Sequence, residues 1–106
     1  VSRAERDKGL RGEREVAQAF EAAGAELKNL EYAGDHHVVL NGVPFHVEVK
    51  RHERLDLMRW VRQAEAEKQS ESTSMVVFRQ SRQPWRVVLT LEDFLACVRP
   101  QLKGSD

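Results

Sequence analysis

The sequence predicts an α/β domain, a mixed β-sheet flanked by helices in the order αββαββα, on three observations. Apolar residues recur at helical spacing ahead of Gly24, two Val-rich runs are broken by Asn41-Gly42, and a second helical stripe is followed by a return to β-branched runs. Taken in order, Val16, Ala17, Phe20 and Ala23 mark a first helix over 8–23, with Gly24 as its cap. Residues 35–40 and 43–50 read as a hairpin around the Asn-Gly turn. Leu57, Met58, Val61 and Ala64 give the buried stripe of a helix over 55–68. Two strands, 75–78 and 85–91, are parted by the polar turn 79–84, and a closing helix over 92–99 is stopped by Pro100.

The chain of 106 residues is read as one domain over 1–106, too short for a multidomain enzyme. Its 41% hydrophobic content excludes intrinsic disorder, and 32% charged residues predict an ion-dense surface. No apolar run approaches the length of a membrane span, and the charged start over 1–8 lacks the apolar stretch of a signal peptide. A soluble, cytoplasmic protein is expected. The lone Cys97 excludes an internal disulfide and reads as a small core residue.

A net charge of +0 conceals a segmented distribution. Residues 15–48 carry six acids and one base, whereas residues 50–62 carry five bases and two acids, and Arg79, Arg82 and Arg86 follow with no acid between them. The acidic middle repels phosphate and the flanking segments attract it.

A two-residue turn at Asn41-Gly42 sets Leu40 opposite Val43 and therefore Asp35 opposite Glu48. Like charges facing each other across a ribbon are destabilising unless a cation lies between them. Lys50 shares the face of Glu48, His37 opposes His46 there, and Val47 and Val49 point the other way. On the first helix, Glu13 shares the stripe of Val16 and Ala17, so a fourth polar group is expected to need a partner, whereas Glu15 reads as a solvated carboxylate. Clustered oxygen ligands suit a hard ion, Mg²⁺ or Mn²⁺, and hence phosphate chemistry, with Lys50 orienting a water or neutralising charge on phosphorus.

These residues resemble the PD-(D/E)xK nuclease superfamily, with Asp35 as its first acid and Glu48-Val49-Lys50 as its E-x-K element. More narrowly, Lys8-Gly9-Leu10-Arg11-Gly12-Glu13-Arg14-Glu15-Val16 is similar to the K-G-x-x-x-E-R-E opening of archaeal-type Holliday junction resolvases, a family some bacteriophages also carry. Phe45-His46-Val47-Glu48-Val49-Lys50 resembles that family's strand, and the resemblance covers nearly the whole chain. Gly34 stands where a Pro often precedes the first acid, and His36-His37 replaces an apolar pair. The histidines signal either a less buried strand or contacts of His37 and His46 with phosphate or metal; they lack the ligands and spacing of a zinc site.

The resemblance implies a restriction-endonuclease-like fold and a homodimeric, Mg²⁺-dependent endonuclease, with Mn²⁺ substituting, that cuts four-way DNA junctions by paired symmetric nicks in the cytoplasm of its cell or host. It implies that Asp35 and Glu48 bind metal, that the Val49 carbonyl completes the site, that Glu13 acts in the metal shell through water, and that Lys50 positions the nucleophile. Lys8, Arg11, Arg51, Arg54, Arg79 and Arg82 are candidates for backbone phosphate contacts. Trp60, Trp85 and Phe94 are candidates for either a dimer surface or the core. The alternatives are another nuclease of the superfamily, restriction-like, nicking or flap-cleaving, and a DNA-binding module with an inactive site.

Overall fold

In a computed structural model the described residues are 2–28 and 35–98. The first helix, α1 (Arg3–Ala22), begins five residues before the expected start, because Ser2 and Glu5 form a capping box. The Glu5 amide donates to Ser2 Oγ and the Ser2 amide to Glu5 Oε1, each at 3.0 Å. A short strand, β1 (Glu26–Lys28), follows; it was not expected, since three residues carrying two charges give no β pattern.

The hairpin strands are β2 (Asp35–Leu40) and β3 (Val43–Arg51), joined through Asn41 at φ 54° and Gly42 at φ 80°. Positive φ at both central residues suits the turn to the right-handed twist of the strands. The helix α2 (Leu57–Glu67) carries the chain across to β4 (Thr73–Arg79), which pairs parallel with β3. An antiparallel edge strand, β5 (Arg86–Val88), and α3 (Leu91–Val98) complete the order αβββαββα, with strands arranged β1-β2-β3-β4-β5.

Both faces of the sheet are covered. Phe45, Val47 and Val49 of β3 pack with Val16, Val38, Met75 and Val77 on the α1 side, and Val76 and Phe78 pack with Trp60 and Ala64 of α2 on the other. Helix α1 comes very close to the sheet at Gly12, where an added Cβ would stand 3.1 Å from Arg51 Cβ and 3.2 Å from the Trp85 ring.

Two expectations are corrected. Met58 is 60% exposed, and Trp60 takes its place on the buried stripe one turn before Ala64. The strand expected to reach Leu91 stops at Val88, because Thr90 caps α3: its hydroxyl accepts from the Asp93 amide at 3.0 Å. Trp60 is buried and Trp85 partly buried against the core, so of the three aromatic candidates for a dimer surface only Phe94 is exposed. Cys97 packs at the edge of the larger core. The expected stop at Pro100 lies outside the described residues.

Candidate active site

The hairpin register is Asp35 to Glu48, His37 to His46 and Leu40 to Val43. Alternation then turns His46, Glu48 and Lys50 of β3 toward α2, opposite in sense to Phe45, Val47 and Val49. These polar residues are deeply covered: Asp35 is 8%, His46 1% and Glu48 2% exposed. His46 Nε2 lies 3.5 Å from Glu48 Oε1 and 3.9 Å from Asp35 Oδ2, so the imidazole stands between the two carboxylates. Lys50 Nζ lies 3.5 Å from Glu48 Oε2.

Helix α2 adds two groups that sequence reasoning missed. Glu67 Oε1 stands 4.0 Å from His46 Nε2, and Gln63, one turn earlier, donates from Nε2 to Glu48 Oε2 at 3.1 Å and to Glu67 Oε2 at 3.4 Å. The i, i+4 spacing of Gln63 and Glu67 was the available signal, but the stripe assigned to α2 pointed elsewhere. Among the described residues, Asp35, His46, Glu48 and Glu67 each offer a ligand atom within 4.8 Å of the others.

The electrostatics are those of a site short of positive charge. Burial first, then hydrogen bonding and charge from Glu48, push the Asp35 carboxyl up to about 7. Burial also presses Glu48 upward, but contacts with His46 and Asp35 and the charge of Lys50 outweigh it and hold Glu48 below its ordinary value. The Glu48 carboxylate raises His46. Both ring nitrogens of His46 and Glu48 Oε1 are buried without hydrogen-bond partners. A divalent cation would answer both the crowding of carboxylates and the unpaired His46 Nε2 and Glu48 Oε1, so the residues present fit such an ion.

Glu13 does not belong to this group. It is half-buried on α1, over the opposite face of the sheet, and lines a groove of about 640 Å³ together with Val49, Lys50 and Arg51. Its main-chain carbonyl accepts from His36 Nε2 at 2.8 Å, which fixes His36 on the α1 side, away from the metal-capable cluster. His37 meets His46 edge-on, with ring centroids 5.1 Å apart. Glu15 is not merely solvated: it accepts from Trp85 Nε1 at 3.0 Å and lies 3.5 Å from Arg79 Nη1.

The basic candidates divide in two. Lys8 and Arg51 both pair with Glu53 Oε2 at 2.9 Å, and Arg79 pairs with Glu15. Glu53 also accepts from the Ser81 hydroxyl and amide, contacts that hold its carboxyl far below the usual range. It thereby ties the start of α1, the end of β3 and the β4–β5 turn together, a role no sequence pattern announced. Arg11, Arg54 and Arg82 are exposed and form no ion pair among the described residues. Arg54 lines a cleft of about 670 Å³ with Lys50, His52, Arg59 and Gln63, opening beside Glu48.

A mixed five-stranded sheet flanked by helices, with opposed acids on its central hairpin and a lysine two residues beyond, is a restriction-endonuclease-like fold. The structure is similar to that of Hjc, a Holliday junction resolvase from the archaeal hyperthermophile Archaeoglobus fulgidus. The two share 22% identity and superpose with a TM-score of 0.63 over 77% of this chain and 72% of that one. No protein-family model and no curated protein sequence matches the chain.

Proposed function

We propose that the chain is a structure-selective, metal-dependent endonuclease that resolves four-way DNA junctions by paired symmetric nicks, acting as a homodimer. The observation that carries this reading is the burial of Asp35 opposite Glu48, with Lys50 on the same face beside a cleft lined by further cations. The likeness to a junction resolvase supports the choice of substrate. Among the described residues no helix is long and apolar enough to cross a membrane.

Asp35 and Glu48 would hold the ion, Mg²⁺ or Mn²⁺, with the Val49 carbonyl as a further ligand. When bound, the ion supplies Lewis acidity at a phosphoryl oxygen and lowers the pKa of attacking water. Lys50 lies beside Glu48, partly buried and lining the cleft, where its ammonium can orient the nucleophile and offset charge gathering on the phosphoryl oxygens. Arg54 and Arg59 give the approaching strand cationic contacts without reading sequence, and Arg11 and Arg82 extend them over the surface. Burial of the acids below the cleft mouth keeps their charge from the approaching strand except at the scissile phosphate.

One subunit has one site, and a junction has approximate two-fold symmetry, so a C₂ pair matches two scissile phosphates. Helix α3 gives such a pair an apolar face in Leu91, Phe94, Leu95 and Val98, all exposed. Cleavage of a synthetic four-way junction beside a linear duplex, with Mg²⁺ or Mn²⁺ and with chelator, tests the proposal. Metal-dependent paired nicks in the junction, with the duplex spared, are expected. Equal cutting of both substrates would make the chain a general nuclease, and binding without cutting in any metal would make it a DNA-binding module.

A further inference from the structure

The cluster beside Lys50 differs from an all-oxygen site in one respect, the imidazole of His46. That ring is 1% exposed, and neither nitrogen has a hydrogen-bond partner. Its Nε2 stands 3.5 Å from Glu48 Oε1, 3.9 Å from Asp35 Oδ2 and 4.0 Å from Glu67 Oε1. These separations are too long for hydrogen bonds, whose N to O distance lies near ~2.9 Å. They suit ligands of one ion: around an octahedral centre, donors about 2.1 Å away stand about 3.0 Å apart at right angles and about 4.2 Å apart across it.

We infer that His46 Nε2 is a metal ligand, and that Asp35, His46, Glu48 and Glu67 form a mixed nitrogen and oxygen site for a first-row transition ion, Mn²⁺, in preference to Mg²⁺. The inference rests on the metal-dependent reading above and assigns the ion and its nitrogen donor. Mg²⁺ favours oxygen ligands and keeps several waters, so an imidazole wedged among three carboxylates adds little to its binding. Carboxylates serve Mg²⁺ and Mn²⁺ alike, and a nitrogen donor shifts the balance toward the softer transition ion. An imidazolium alone leaves the cluster incompletely matched, since Nε2 makes no N–H···O hydrogen bond with any of the carboxylates. Gln63 steadies Glu48 and Glu67 from α2, so two of the four donors are held before an ion arrives.

The test is pulsed electron paramagnetic resonance of Mn²⁺ bound to the wild-type protein, with and without ¹⁵N-labelled histidine, together with competition between Mn²⁺ and Mg²⁺. The expected result is one bound Mn²⁺ with a directly coordinated histidine nitrogen, bound about tenfold or more tightly than Mg²⁺. His46→Gln should abolish the nitrogen signal and narrow the preference. Bound Mn²⁺ without nitrogen coupling, equal affinity for the two ions, or no Mn²⁺ binding would each overturn the inference. The wild-type spectrum decides even if His46→Gln does not fold. A protein that coordinates Mn²⁺ through histidine yet leaves junctions uncut would overturn the nuclease proposal and leave this site standing.

Discussion

Burial first, then Glu48 opposite and Glu67 close by, hold the Asp35 proton up to a pH of about 7 without a metal, above its ordinary 3.8. Between those values the folded protein holds a proton that the unfolded chain has lost, so stability falls as pH rises. His46, raised by Glu48, works in the same direction: its favourable charge is present below its ordinary value and lost above its raised one. Glu48, lowered, acts the opposite way and costs stability only in stronger acid. The metal-free protein should therefore be more stable to urea near pH 5 than at pH 8. Asp35→Asn should raise its stability at pH 8 by about 1 kcal/mol, by removing one like charge from an opposed pair, while abolishing cleavage. A variant destabilised at pH 8, or still cutting junctions, would refute the repulsive site. Lys50→Ala separates coordination from chemistry: the single-turnover rate should fall about 100-fold or more, with Mn²⁺ affinity unchanged in a titration.

The elements show which parts of this site the sequence could disclose. The hairpin was fully legible, because Asn41-Gly42 fixes a local turn and the turn fixes every opposed pair, Asp35 and Glu48 included. Glu67 was not, because its place depends on how α2 rotates against the sheet, and that rotation is set by Trp60 filling the space over Phe78 in preference to Met58. Glu13 was placed on the correct stripe of α1, but its helix covers the face away from the acids, a fact of layering that no single helix encodes. The Ser2 to Glu5 capping box is legible in the sequence, a Ser followed three residues on by a Glu, whereas β1 is a strand only because β2 offers it an edge. Gly12 lies where α1 meets β3 and Trp85, so close that even a Cβ would push the Arg51 or Trp85 side chain aside. Gly12→Val should lower stability by about 1–3 kcal/mol through overpacking, measured by urea unfolding, and Gly9→Val, open within 4 Å, should leave stability unchanged or slightly raised, because Val forms helix better than Gly. Equal losses at both positions would remove close approach as the reason for Gly12.

For the whole molecule, pairing decides whether two nicks are coupled. Mixed wild-type and Glu48→Gln subunits should give heterodimers that cut one strand of each symmetric pair, seen as nicked junctions on denaturing gels. Phe94→Glu on the exposed face of α3 should yield monomers by sedimentation, and unimpaired dimers would move the interface elsewhere. The sheet also has a temporal side. The β2–β3 hairpin closes through two residues, but the parallel β3–β4 pairing must wait for α2 to cross, and hairpins form in about 1–10 μs, ahead of such long-range joins. The two acids are thus pressed together by an early, local step, before the cation-lined cleft exists to shelter them. Neutralising Asp35 should in consequence accelerate refolding in stopped-flow experiments while leaving unfolding nearly unchanged; a gain confined to the unfolding limb would place that encounter after the rate-limiting barrier.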